Sequence, residues 1–149
     1  MKEPVWIRTV DALAFHAQLI ALFGGSEGVR DPGLLESALA RPRNLFAYSR
    51  KRLTLADLAA AYAFGISSNH PFVDGNKRAA MQVSFVFLEY NGFPVSTSQE
   101  DACLTFMQLA AGEIEEAELA AWFKERIVSS RKRTARRKPR RPPKRGNVD

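Results

Sequence analysis

The sequence predicts an all-α protein: one helical domain of about six helices over residues 1–130, followed by a disordered basic tail over 131–149. Three observations predict this. Apolar residues recur at helical spacing in segment after segment, and no stretch of convincing strand alternation competes with them. The segments are punctuated by helix caps and glycine stops. Charge is divided along the chain. Residues 131–149 carry ten basic side chains and one acidic, a net of +9, whereas residues 1–130 carry 12 basic and 15 acidic, a net of −3. The overall charge of +6 therefore belongs to the tail. From Arg131 to Arg145 no large apolar residue occurs, so the tail cannot bury enough surface to offset its ordering entropy.

The first helix is expected over Thr9–Phe23, with Thr9 as N-cap, a broad apolar face of Val10, Leu13, Ala14, Ala17, Leu19, Ile20 and Phe23, and Gly24-Gly25 as its stop. Three glycines in residues 24–30 make the next stretch an irregular loop, either a plain connector or a mobile lid. Asp31 caps a second helix, with Pro32 at its first position and Leu34, Leu35, Ala38 and Leu39 on its apolar face. Pro42 should end it and open a loop to Arg52. Thr54-Leu55-Ala56-Asp57 resembles a capping box and starts a helix to about Ser67 that is apolar on most sides, as central helices are. Asn76 to Tyr90 has the same character and stops at Asn91-Gly92. The two should form a hairpin through the core, joined by the polar loop 68–75. Phe93-Pro94-Val95 is a short extended link. Ser98 caps a helix to about Ala111, stopped by Gly112, and the last helix runs from about Glu115 to Val128. Its acids lie early and Lys124 and Arg126 late, as the helix dipole favours.

Several classes are excluded on composition. The lone Cys103 permits neither an intramolecular disulfide nor a cysteine-based zinc site, and reads as a small buried hydrophobe. No run of about 18 apolar residues offers a membrane span, and Met1-Lys2-Glu3-Pro4 does not open a signal peptide. The expectation is a cytoplasmic protein with no membrane contact.

Chemistry concentrates in His70-Pro71-Phe72-Val73-Asp74-Gly75-Asn76-Lys77-Arg78, between the two most apolar helices. Polar groups in such a place cost free energy unless partnered, and a phosphate-bearing ligand is a fitting partner. Gly75 lets backbone approach a ligand. The helix start after it offers unpaired N–H groups to an anion. Lys77 and Arg78 add charge, Arg in a bidentate fork. Asp74 is a candidate Mg²⁺ ligand. His70, of a type that titrates near neutral pH, is the candidate general base. The set fits phosphoryl or nucleotidyl transfer. His16, beside Phe15 in the first helix, reads as structural.

This segment resembles the signature of the Fic/Doc superfamily in its Doc (death-on-curing) form, His-x-Phe-x-[Asp/Asn]-[Ala/Gly]-Asn-Lys-Arg, at every fixed position. Resemblance extends to Gly24-Gly25-x-x-Gly28-x-x-Asp31-Pro32-Gly33, Asn91-Gly92 and Gly112-Glu113-Ile114, spanning about residues 5–127. It implies a toxin of a toxin–antitoxin pair: a kinase that uses ATP and Mg²⁺ to phosphorylate a threonine of elongation factor Tu, and that a Phd-type antitoxin inhibits. By resemblance, His70 is the base, Lys77 and Arg78 are catalytic with it, Asp74 binds Mg²⁺, Gly75, Asn76, Lys77 and Arg78 hold the ATP phosphates, and Phe72 anchors the loop. Fic enzymes that transfer AMP carry His-Pro-Phe-x-x-Gly-Asn-Gly-Arg-x-x-Arg instead; here Lys77 replaces the second glycine and Met81 the last arginine. The self-inhibitory segment of some Fic proteins is approached by Ser96-x-x-x-Glu100, but Asp101 breaks it. Two alternatives stand beside the kinase: an AMP transferase, and a nucleic-acid-binding protein with a vestigial site whose tail contacts RNA or the ribosome.

Overall fold

The structure is a computed structural model that describes residues 1–128. Six helices follow in order: α1 Thr9–Phe23, α2 Pro32–Tyr48, α3 Leu55–Asn69, α4 Asn76–Tyr90, α5 Gln99–Ala110 and α6 Glu116–Arg126. Among the described residues there is no strand, only the isolated bridges Val29–Phe72 and Val95–Ile127. None of the helices is long and apolar enough to cross a membrane. The expectation for the tail at 131–149 lies outside the described residues.

Helix α3 is the axis of the molecule. Its run from Leu58 to Ala63 is wholly buried, as are Ala56 and Ile66, so every face of the helix meets protein. α2, α4 and α6 pack directly on it, α5 touches it more lightly, and α1 lies across α4 and α2. Small side chains permit close approach. A methyl group at Gly65 would meet the Ala38 backbone of α2 at 3.2 Å. The one large polar side chain in the run, Tyr62, accepts the Ile7 N–H through its hydroxyl at 2.9 Å, and burial pushes its pKa up to about 12. The capping box at Thr54 forms as the sequence predicts, with Asp57 N bonded to Thr54 Oγ1 and Thr54 N to Asp57 Oδ2.

Four expectations need correction. Helix α2 does not end at Pro42; it continues six residues to Tyr48, with Pro42 buried inside it. An internal proline costs about 3 kcal/mol. Here the turn beyond it brings Leu45 and Phe46 onto the core, a gain of comparable size. The N-cap of α1 is Arg8 rather than Thr9, because Asp11 accepts the Arg8 N–H and closes the first turn one residue earlier. The buried face of α1 is Ala12, His16 and Ile20, with Phe15 and Leu19 against the core, whereas Val10, Leu13 and Phe23 are exposed. The helix is peripheral and buries one side only. Cys103 is exposed, because α5 turns Ala102, Thr105, Phe106 and Leu109 inward at helical spacing and leaves Cys103 outside that stripe.

Candidate active site

The α3–α4 hairpin delivers the predicted residues to one place. α3 ends at Asn69, and His70 caps it in the left-handed region with φ +48° and ψ +56°. It is the single non-glycine residue with positive φ among those described. A side chain with a Cβ pays about 1–2 kcal/mol for that conformation. The turn throws the chain sideways, and Phe72 then plunges into the core, 1% exposed, as expected for the anchor.

Asn76, the first residue of α4, braces that turn. Its Oδ1 accepts the Phe72 N–H at 2.9 Å and its Nδ2 donates to Phe72 O at 3.0 Å. The expectation that Asn76 holds phosphate is narrowed by this: its side chain serves the loop, and what it offers a ligand is its backbone N–H. Gly75 caps α4 at φ +78° with no side-chain cap. The first-turn N–H groups of Asn76, Lys77 and Arg78 therefore lie open at the positive end of the helix.

His70, Val73, Asp74, Gly75, Asn76, Lys77 and Arg78 line a cleft of about 470 Å³. All seven come from one segment, so the hairpin alone builds the cleft. Lys77 and Arg78 are exposed, and neither meets a carboxylate among the described residues. Arg78 instead lies over the Phe23 ring at 4.3 Å, which explains why that exposed phenylalanine stands at the end of α1. Asp74 is also exposed. Its Oδ1 accepts the Gly75 N–H at 2.9 Å and its Oδ2 the Ser26 N–H at 3.1 Å. Each oxygen keeps a lone pair free for a hard cation. No group of three His, Cys, Asp or Glu side chains that could hold a metal by themselves occurs among the described residues.

The glycine-rich loop is docked against the motif. Val73 N donates to Gly28 O at 3.0 Å, and the Arg30 and Asp31 N–H groups donate to Pro71 O at 2.7 and 3.1 Å. Gly25 is required there: at φ +118° a Cβ would stand 2.8 Å from Asp74 Oδ2. The loop is thus fixed beside the cleft by bonds to the motif, rather than being a loose connector.

Two residues matter beyond the motif. His16 is 4% exposed, stacks on Phe72 with ring centroids 3.9 Å apart, and places Nε2 2.7 Å from Asp74 O. That carbonyl only accepts, so Nε2 carries the proton. The structural reading of His16 is upheld, with a sharper content: it seats the loop from below. Arg30 was given no role by the sequence. Its guanidinium donates to His70 O and Asn69 O, and nothing in a polar, glycine-rich stretch marks it out beforehand.

A model of the Fic/DOC family matches residues 6–88, which include the whole cleft. The chain is 34% identical over 110 residues to the protein kinase doc of Escherichia phage P1, covering 74% of this chain and 86% of that protein. It is 46% identical over 74 residues to the toxin Doc of Mycolicibacterium smegmatis, covering 47% of this chain and 54% of that protein.

Proposed function

Because this chain belongs to the Fic/DOC family, we propose that it is a Doc-type toxin kinase. It transfers the γ-phosphoryl group of ATP to a threonine hydroxyl of elongation factor Tu and so halts translation. A Phd-type antitoxin restrains it in the cytoplasm, and its basic tail contacts RNA or the ribosome.

The observation that carries the kinase reading is the first turn of α4. A lysine follows Asn76 where AMP-transferring relatives have glycine, and it lines the cleft as a cation that meets no carboxylate among the described residues. One turn on, Met81 packs against the core where those relatives carry an arginine. The site therefore lacks both the small position that lets a diphosphate lie along the helix start and the second arginine. Three open N–H groups, Lys77 and Arg78 make an anion site for the terminal phosphates. The residues also fit Mg²⁺. Asp74, the one carboxylate lining the cleft among the described residues, offers hard oxygen donors, as suits a cation that takes its other ligands from phosphates and water. When bound, the ion neutralises charge on the phosphates. His70 removes the proton from the threonine hydroxyl as its oxygen bonds to the γ-phosphorus. The bond to the bridging oxygen breaks, and ADP leaves.

Parallel reactions with α-labelled and γ-labelled ATP, against elongation factor Tu and against whole extract, test this. Label from the γ position should reach a protein and label from the α position should not. Lys77→Gly should cut γ transfer sharply. A target that gains the mass of AMP overturns the kinase reading and installs the AMP transferase. No transfer in elongation factor Tu, with transfer in extract, overturns only the named target.

A further inference from the structure

Helix α3 ends one residue before His70, and its last carbonyls have no helical N–H to accept. Two of them are met by one side chain from 40 positions upstream. Arg30 Nε donates to His70 O at 2.7 Å, and Nη2 donates to Asn69 O at 2.8 Å. The Arg30 backbone N–H reaches the next carbonyl, Pro71 O, at 2.7 Å. A single residue therefore grips three successive carbonyls, centred on His70, the one non-glycine residue with a left-handed backbone among those described. Arg30 does not line the cleft and meets no carboxylate among the described residues. Its guanidinium is spent on the backbone that carries His70.

We propose that Arg30 is a positioning residue for group transfer: its planar fork locks the His70 backbone in the left-handed turn and so fixes where the imidazole stands in the cleft. The proposal rests on the reading of His70 as the base. Chemistry explains why arginine is needed. Two adjacent carbonyls at a helix end present two acceptors in fixed relation, and the parallel Nε–H and Nη2–H groups match them. Lysine offers the same charge from a single point, without a rigid fork to hold both carbonyls in fixed relation. The fork also ties the glycine-rich loop to the base, so that loss of the loop's docking would release His70 as well. A displaced catalytic group typically costs about 10²-fold even when the displacement is near 1 Å.

The test uses the full chain with Arg30→Ala, Arg30→Lys and, as a control, His70→Ala. Both Arg30 variants should lower kcat by about 10- to 100-fold with KM for ATP unchanged, because the phosphate-holding groups are not touched. Added guanidinium ion at sub-denaturing concentration should restore part of the kcat of Arg30→Ala, and none in His70→Ala. Amide hydrogen exchange at Phe72 and Val73 should accelerate in both Arg30 variants, and thermal melting separates this from global unfolding. Wild-type kcat in Arg30→Ala overturns the proposal. Wild-type kcat in Arg30→Lys overturns the fork and leaves only a charge effect. Should the wild-type protein transfer neither label, the kinase reading fails by itself, and exchange then decides the clamp: unchanged exchange in Arg30→Ala overturns it, and faster exchange upholds it.

Discussion

His70 is held in a conformation that its own side chain disfavours, and every neighbour that keeps it there is a named bond. Arg30 takes its carbonyl, its N–H caps Ile66 O, and Asn76 fixes the backbone two residues on. Strain retained at a cleft residue is what a pre-organised base requires. His70→Ala should therefore leave folding and ATP binding nearly intact while transfer falls by about 10²–10⁴-fold, the usual loss for a general base. Initial rates and a melting curve on both proteins check this, and near-wild-type turnover in the variant removes His70 from the mechanism. At this scale the sequence was legible wherever chemistry is written in residue type. A histidine, a carboxylate, a glycine and two cations in nine residues announce themselves. It was illegible where a role depends on reach. Arg30 acts on backbone carbonyls that any residue supplies, so no partner residue in the sequence points back to it. Asn76 has the right type for a ligand, and its actual partner, the Phe72 backbone, is invisible until the turn is built.

At the scale of elements, caps and stops carried most of the information because they are local. Asp31, Thr54 and Ser98 each cap where expected, accepting the N–H three residues on. Local rules fail where tertiary burial outweighs them: Pro42 would end a helix in isolation, yet Leu45 and Phe46 draw α2 onward into the core. For α1 the apolar pattern is wider than the face that is buried, since periodicity does not say which side meets protein. A junction the sequence did not disclose holds α5 to α6. Asp101 accepts from the Thr97 hydroxyl and from the Arg126 guanidinium, and Arg126 also lies over the Trp122 ring. The Thr97 hydrogen bond first, and Arg126 after it, hold the Asp101 carboxyl below its ordinary value. A carboxyl lowered in the folded state binds its proton less readily there than in the unfolded chain. Its contribution is thus present above the unfolded value and lost as pH falls through the folded one. Melting temperature should fall on acidification below the ordinary aspartate range, about pH 4, and Asp101→Asn should be less stable at neutral pH with a shallower acid decline. An identical acid profile in the variant would remove Asp101 from the linkage.

Over the whole molecule, the cleft and Val128, the last described residue, lie at opposite ends of α3. Helix α3 separates them by about 22 Å, at 1.5 Å per residue over its 15 residues. His70 stands at its end. At its beginning Asp57 pairs with Lys124 of the last turn of α6, and Val128 bonds to Pro94 just beyond α4. The exposed run Arg50-Lys51-Arg52 precedes that same end of α3. In the sequence, residues 131–149, with their net +9, follow a body that carries −3. A body of net charge −3 is less favourable to a polyanion than the tail, so the proposed affinity for RNA is assigned chiefly to the tail. Deleting 131–149 should leave the melting temperature and transfer to a small protein target unchanged, because all six helices and the cleft are retained. Binding to single-stranded RNA should weaken strongly, and its salt dependence should flatten. Each phosphate contact contributes about 0.7 to the slope of log K against log salt, so ten cations set a ceiling of about 7 for the slope lost. Titrations of full-length and truncated protein at several salt concentrations measure it. Equal affinities with equal slopes would show that the tail makes no phosphate contacts, and would end the nucleic-acid reading without touching the kinase.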